Sequence, residues 1–268
     1  IVNSFKVNLK PIDCQLICQS NQGPGAARNK GIISSKNTYI AFLDADDEWL
    51  PKKLEKSVDM LSEGGFSFVA HNGWVSRQGT DKLNDCEKRF REGLGSFSSL
   101  YRKGYIDTCT VVARRESLIR VGGFDESLLN AQDFDFWLAM SSLPGERFYV
   151  FKDILARSYF TPGSIMSKTD RRLKCCLIIA ERYIPNLKKE SNMGLFSLLY
   201  RSIAVHREAI DTYFIQKNYG KIASLAIKLT VSVLRLSVQY YFGTSSPRPS
   251  HWVTQTMNKS HANKGFSL

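Results

Sequence analysis

The sequence predicts an α/β fold in which helices sandwich a mainly parallel sheet, and three observations lead to this prediction. Strand-like apolar segments alternate with helix-like segments in the first half of the chain, an order typical of parallel sheets. One apolar segment ends abruptly in the acidic run Asp44-Ala45-Asp46-Asp47. Hydrophobic residues make up 43% and charged residues 23% of the 268 residues, so the chain can bury a core without disulfides.

The first part of the chain predicts alternating strands and helices. Residues 13–20 predict a short strand, and the Asn-Gln-Gly-Pro-Gly turn that follows leads into a helix over residues 26–36. The β-rich run at 38–43 predicts a buried strand. A helix over 52–64 ends at a glycine pair, and residues 66–75 predict the next strand.

The middle of the chain is less regular. Residues 76–106 are polar and predict loops with one short helix. The elements expected after them are a strand over 108–115, a short helix that breaks at Gly122-Gly123, a helix over 131–142 with an acidic first turn, and one or two strands over 148–160.

From residue 170 onward the pattern is helical and basic. Residues 169–268 hold 15 basic and 5 acidic residues and therefore carry +10 of the net charge of +12. We predict three parts: an α/β domain at 1–168, a basic helical extension at 169–242 and a flexible tail at 243–268. Six cysteines without a C-x-x-C pair indicate reduced thiols and a cytoplasmic protein.

One helix of the extension allows two interpretations. Within 221–241, Lys221, Lys228 and Arg235 recur every seven residues. The same helix has an apolar face made of Ile222, Leu225, Leu229, Val233, Leu236 and Tyr240. The helix lies either on an anionic membrane at the inner face of the plasma membrane or against the α/β domain with its lysines in water. No apolar run is expected to span a bilayer, and no motif indicates nucleic-acid binding.

The acidic run is the strongest candidate for chemistry. Three carboxylates within four residues repel one another, and a shared cation relieves this repulsion. Oxygen ligands suit Mg²⁺ or Mn²⁺, and ligands of open α/β sheets bind at the carboxyl ends of strands. The alternative is a solvated acidic turn that caps the next helix.

Two further motifs have both a functional and a structural interpretation. Gly25, Arg28 and Asn29 lie at a helix start that favours anions, or in a plain tight turn with Arg28 in a structural ion pair. The segment after Gly122-Gly123 leads to Asp133, an acid in the first turn of a helix among aromatic residues. Such an acid acts as a general base or caps its helix.

Taken in order, these motifs resemble the family 2 glycosyltransferases, which have a GT-A fold. The resemblance covers about residues 15–160. It implies inverting transfer of a sugar from a nucleotide-diphospho-sugar to a glycan or lipid-linked acceptor of a cell surface. Asp44 and Asp46 would hold Mn²⁺ or Mg²⁺ and the donor diphosphate, and Asp133 would be the base.

The resemblance also assigns the remaining candidates. Gly25, Arg28 and Asn29 would lie at the donor site. The acceptor side would contain Gly122, Gly123, Phe124, Asp125 and Gln132.

The sequence departs from the family pattern in three places. Gln132 replaces the usual Glu, and Ala139 stands where such helices often carry Arg. The opening strand–helix–strand of the family has no counterpart, and residues 1–13 are too short to supply it. The alternative function is therefore a non-catalytic nucleotide-sugar-binding or interaction module, the remnant of a truncated enzyme.

Overall fold

The computed structural model describes residues 13–77, 79–90, 94–160, 168–190, 193–244 and residue 248. Residues 13–22 form neither helix nor strand, so the strand predicted over 13–20 is wrong. Its sequence is β-compatible, but its side chains are largely exposed, and no sheet strand pairs with it. Most of the predicted tail, and the segment before residue 13, lie outside the described residues.

The described strands form one mixed sheet. Its order is β1-β6-β3-β7-β2, with β4 paired to β3 and β5 paired to β7. The strands are β1 (Tyr39–Ala41), β2 (Glu48–Trp49), β3 (Phe68–Arg77), β4 (Thr80–Asn84), β5 (Leu94–Gly95), β6 (Val112–Arg114) and β7 (Phe148–Tyr159).

The α/β class is confirmed, but the prediction of a mainly parallel sheet is wrong. Among the described pairs, β3–β7 is parallel and all the others are antiparallel. Strand β6 runs antiparallel to both β1 and β3. The apolar pattern of a buried strand does not encode its direction, because either direction buries the same side chains. The structure also contains the β3–β4 hairpin, which sequence analysis assigned to loops.

The described residues contain nine α-helices. They are α1 (Gly23–Ser34), α2 (Lys53–Gly64), α3 (Phe97–Lys103), α4 (Arg115–Val121), α5 (Gln132–Ser142), α6 (Thr169–Arg182), α7 (Ile184–Glu190), α8 (Gly194–Ile215) and α9 (Tyr219–Phe242). The strand predicted over 108–115 is instead a 3₁₀ turn at Thr108–Thr110 followed by the short β6. The Asp107 side chain accepts a hydrogen bond from Cys109 N and stabilises this turn.

The main hydrophobic core continues from the sheet into the C-terminal helices. Trp137 of α5 is fully buried against Phe42, Phe68 and Phe124. The same cluster includes Ile179, Leu198 and Leu236 from three helices of the extension. A smaller cluster contains Leu61, Val69, Val112, Phe151 and Leu155. The helices after residue 168 therefore help to bury the helix that carries Asp133.

Helix α9 has one packed and one exposed apolar face. Leu225 and Leu236 of the predicted face are buried, and Ile222 and Tyr240 pack against the core. A second apolar stripe faces outward, with exposures of 59–86%, and consists of Ile227, Val231, Leu234, Val238, Tyr241 and Phe242. By length and mean hydropathy, 1.4 over its best window, α9 is the one helix in the described residues that could cross a membrane. The expectation of no such run was therefore wrong.

Candidate active site

A cleft of about 380 Å³ opens at one edge of the sheet. The acidic run after β1 meets the end of β7 there, and the residues just before β6 reach the same edge because β6 is antiparallel to β1 and β3. Among the predicted site residues, those that line the cleft are Arg28, Asp44, Asp46, Gln132 and Asp133. Arg28 and Asp133, which are 105 positions apart in the sequence, thus share one cavity.

Arg28 and Asp44 form the first pair in the cleft. Arg28 Nη2 donates to both carboxylate oxygens of Asp44, at 2.8 Å and 2.7 Å. The guanidinium also lies 5.5 Å from the ring centroid of Phe124. Asp44 is therefore already neutralised in part, whereas Asp46 is exposed to the cleft.

One group of three possible metal ligands in the described residues does not include the predicted pair Asp44 and Asp46. In the described residues, Asp47, Asp107 and Cys109 have ligand atoms within 4.8 Å of one another. Ser158 Oγ donates to Asp107 Oδ2 at 2.7 Å and lies 3.1 Å from Cys109 Sγ. Tyr159 N donates to Asp47 Oδ1 at 3.1 Å.

The protonation of this group reflects crowded negative charge. Burial, together with the neighbouring Asp107 carboxylate, raises the pKa of Asp47 to about 6. Burial also raises the pKa of Asp107 and that of the Cys109 thiol. Carboxylate oxygens suit Mg²⁺ and Mn²⁺, while a protonated thiol does not. Asp46 and Asp47, which border the same cleft, therefore fit a hard divalent cation better than Cys109 does.

A buried cation lies behind the acidic group. Lys53 is 2% exposed, and its Nζ donates to Thr110 O at 3.2 Å. Nζ also lies 3.2 Å from Nε2 of buried His71. Burial lowers the pKa of Lys53 to about 8 and that of His71 to about 3. His71 is therefore neutral at physiological pH, and Lys53 supplies positive charge beneath Asp107.

Asp133 lies in the first turn of α5 and lines the same cleft as the acidic run. Its Oδ1 accepts a hydrogen bond from Phe134 N at 2.8 Å. The residue before the helix, Ala131, has φ +56°, and Tyr105 has φ +82°. Both line the cleft, and left-handed backbone at residues other than glycine often marks functional sites.

The extension contributes to the cleft wall beside Asp133. Arg172 of α6 lines the cleft, and its guanidinium carbon lies 5.6 Å from the ring centroid of Tyr105. Its Nε lies 3.3 Å from Glu208 Oε2 of α8. Sequence analysis missed Arg172 because no local pattern connects a helix after residue 168 with a sheet edge.

Several predicted residues lie behind the cleft and do not line it. Asn29 is 2% exposed; its Nδ2 donates to Phe124 O at 3.0 Å, and its Oδ1 accepts from Phe124 N at 2.8 Å. Asn29 thus joins α1 to the loop predicted as the acceptor side. The other residues outside the lining are Gly25, Gly122, Gly123, Phe124 and Asp125.

One of these residues, Gly25, still affects the lining through its contact with Gln132. A Cβ on Gly25 would lie 3.3 Å from Gln132 Cδ, so glycine lets α1 approach this side chain. Gln132 is 6% exposed, and its Nε2 donates to Leu128 O. The amide nitrogen of Gln132 therefore already has a hydrogen-bond partner within the protein.

Comparison with known proteins gives concordant matches in sequence and fold. The sequence model of "Glycosyl transferase family 2" matches residues 3–122. An uncharacterized glycosyltransferase of Rickettsia bellii is 33% identical over 134 residues, which is 48% of this chain and 18% of that protein. The amylovoran biosynthesis glycosyltransferase AmsB of Erwinia amylovora is 26% identical over 163 residues, which is 58% of this chain and 50% of AmsB. The matches thus span half or less of these relatives.

The fold also matches a solved structure. S. aureus TarS 1-349, crystallised in complex with UDP-GlcNAc, superimposes with a TM-score of 0.57 and 14% sequence identity. The match covers 100% of this chain and 79% of that one. This likeness concerns the fold, and it supports the GT-A-like architecture predicted from the motifs.

Proposed function

We propose that this chain is a family 2 glycosyltransferase, which the match of that family's sequence model to residues 3–122 supports, and that it transfers a sugar from a nucleotide-diphospho-sugar to a glycan or lipid-linked acceptor. The observation that carries the proposal is the shared cleft, whose lining includes Asp44, Asp46, Asp47 and Asp133. An inverting transfer needs a site for a charged leaving group and a base in a common cavity. The name of AmsB supports an acceptor in the biosynthesis of a surface polysaccharide.

The donor end of the cleft is the acidic wall. We propose that Asp44 and Asp46, with Asp47 beside them, hold Mn²⁺ or Mg²⁺, an assignment that rests on the oxygen donors in this wall. A bound cation supplies positive charge that stabilises a departing diphosphate. Arg28 orients Asp44 through the ion pair at 2.7 Å. UDP-GlcNAc in the TarS crystals supports a nucleotide-sugar donor of this kind.

Asp133 is the proposed base. A carboxylate at this position accepts the proton of an acceptor hydroxyl as the oxygen attacks the anomeric carbon. The attack comes from the face opposite the leaving group and therefore inverts the anomeric centre. The phenol and guanidinium of Tyr105 and Arg172 border the same wall and are proposed to contact the acceptor.

The test is a turnover assay with the full chain, Mn²⁺ and a panel of nucleotide-sugars. We expect release of a nucleoside diphosphate from at least one donor, by hydrolysis or by transfer. Donor binding without any release would instead support the alternative, a non-catalytic nucleotide-sugar-binding module. Calorimetric titration of the same donors separates these two results from a failure to bind.

Metal affinity should depend on pH through Asp47. Below its pKa of about 6, a bound cation must displace a proton, so affinity falls as pH falls. We expect Mn²⁺ to bind about tenfold more weakly near pH 5 than near pH 7, as measured by calorimetry. In the Asp47→Asn variant most of this dependence should disappear. Equal pH dependence in both proteins would remove Asp47 from the metal site.

We also propose a cytoplasmic protein whose helix α9 lies against the inner face of the plasma membrane. Its outward stripe is apolar over several turns, and Lys228 and Arg235 flank the stripe. The helix contains no acidic residue, which favours an anionic surface. Lys221 and Arg235 also pair with Asp170 and Glu181, so the apolar stripe is the main contact in this proposal.

Vesicle sedimentation tests this contact. Leu234→Glu, at a side chain 63% exposed, should abolish most binding to phosphatidylglycerol vesicles, because a charge in the stripe opposes insertion. Leu129→Glu is the matched control, since Leu129 is 59% exposed but lies far from α9 in sequence. Equal binding of both variants and the wild type would refute a membrane role for α9.

A further inference from the structure

We propose that Arg182 and Arg248 act as a positioning pair that fixes helix α5, and with it Asp133, against the loop at Gly122-Gly123. The effect of these arginines on catalysis rests on the proposed function, whereas their effect on the position of α5 does not. Both arginines follow the α/β domain in sequence. Residues of the C-terminal part would therefore hold α5 in position from outside the cleft. The geometry of one buried carboxylate carries the inference.

That carboxylate belongs to Asp135, two residues after Asp133 on the same helix. Asp135 is fully buried, at 0% exposure, and a buried charge requires partners. Its own helix offers none at the next turn, because Ala139 occupies the i+4 position. The partners come from later parts of the chain.

Arg182 supplies the first guanidinium. Its Nη1 donates to Asp135 Oδ1 at 2.7 Å, and its Nη2 lies 2.9 Å from Asp125 Oδ2. Tyr183 adds a hydroxyl that donates to Asp135 O at 2.9 Å. The end of α6 thus joins the start of α5 to the loop that contains Asp125.

Arg248 supplies the second guanidinium from beyond α9. Its Nε donates to Asp135 Oδ2 at 2.8 Å. Its Nη1 donates to Val121 O at 2.9 Å, and its Nη2 donates to Gly123 O. A single side chain therefore connects the carboxylate on α5 with two carbonyls at the end of α4.

The charges in this buried group balance. Two carboxylates, Asp125 and Asp135, face two guanidiniums whose side chains are 9% and 11% exposed. Loss of one guanidinium would leave a buried carboxylate whose charge is only partly balanced. This lowers the free energy of unfolding far more than loss of the whole charged group does. The backbone beside this group is left-handed at three positions, since Gly122, Gly123 and Ala131 all have positive φ.

The link to catalysis is the short distance along α5. A change in the position of the Asp135 side chain would shift Asp133, which precedes it by half a helical turn. A displacement of about 1 Å at a reacting group can lower the reaction rate roughly 100-fold. Within the described part of the chain, neither Arg182 nor Arg248 is among the residues that line the cleft. They are therefore positioning residues, and Asp133 remains the group proposed to contact the substrate.

The first experiment needs no substrate. Hydrogen exchange is measured on the full chain for wild type, Arg248→Met and the control Arg235→Met, which removes a 57% exposed arginine paired with Glu181. We expect faster exchange of amides in 121–137 in Arg248→Met alone. Unchanged exchange there, or the same change in Arg235→Met, would overturn the proposal.

A second variant tests the proposal even if Arg248→Met folds poorly. The double variant Asp135→Asn with Arg248→Met removes one charge of each sign, so it should fold and melt closer to the wild type than the single variant does. A double variant that melts no higher than Arg248→Met would contradict the role of charge balance.

Activity then separates positioning from general stability. In donor turnover, Arg248→Met should lower kcat at least about tenfold with little change in donor KM, and Arg248→Lys should recover part of kcat. Loss confined to KM, or no loss, would overturn the positioning role. An inactive wild type would refute the proposed function, while the exchange result would still decide on the arginine pair.

Discussion

The Asp133→Asn variant is expected to lose glycosyl transfer by about 10²–10⁴-fold, the usual contribution of a general base. Asparagine has nearly the same shape and can still accept the hydrogen bond from Phe134 N, at 2.8 Å in the wild type, so the start of α5 should be preserved. Because Asp133 is not one of the carboxylates proposed to hold the metal and the donor diphosphate, donor affinity should change little. The measurement is steady-state transfer together with donor titration.

A matched control is available on the same helix turn. Gln132→Glu places the Glu of the family pattern at this position and retains Asp133, although its carboxylate cannot donate to Leu128 O as the Gln132 amide does. It should keep the base function that Asp133→Asn loses. Retention of full transfer by Asp133→Asn would show that another group removes the proton.

The largest expected effect on stability is that of Trp137→Ala. The indole is fully buried, contacts several aromatic rings, and donates from Nε1 to Ile106 O at 3.2 Å. Truncation of a large core aromatic residue should lower the free energy of unfolding by about 3–5 kcal/mol. Chemical denaturation monitored by circular dichroism measures this loss.

An exposed aromatic residue provides the control for that experiment. Phe242 is 86% exposed, so Phe242→Ala should change the free energy of unfolding by no more than about 0.5 kcal/mol. A similar loss in both variants would mean that Trp137 does not anchor a common core. Because Trp137 lies on the helix of Asp133, this core is also what holds the proposed base in place.

The sequence allowed prediction of the parts of the site that depend on local patterns. The acidic run is visible because it follows the β-rich segment ending at Leu43, and the turn chemistry of Gly122-Gly123 marks the end of a helix. The start of α5 at Gln132 was predicted within one residue, because its acidic first turn precedes a continuous apolar segment.

The missed residues depend on tertiary contacts. Asp107 reaches the cleft because β6 is antiparallel, which places the residues before that strand at the edge where β1 ends. Arg172 and Arg248 come from segments whose local sequence gives no sign of a site. The hairpin strand β4 was missed because its side chains are polar and mostly exposed, so it lacks the alternation that reveals a half-buried strand.

The relation between the acidic run and Asp133 is the centre of this account, and crystallography with Mn²⁺ and a nucleoside diphosphate tests it most directly. An anomalous-difference map should show Mn²⁺ in the cleft, bound by Asp46 with Asp44 or Asp47 nearby, and the diphosphate between the metal and the side of Asp133. Metal bound away from these carboxylates, or a diphosphate outside the cleft, would contradict the account.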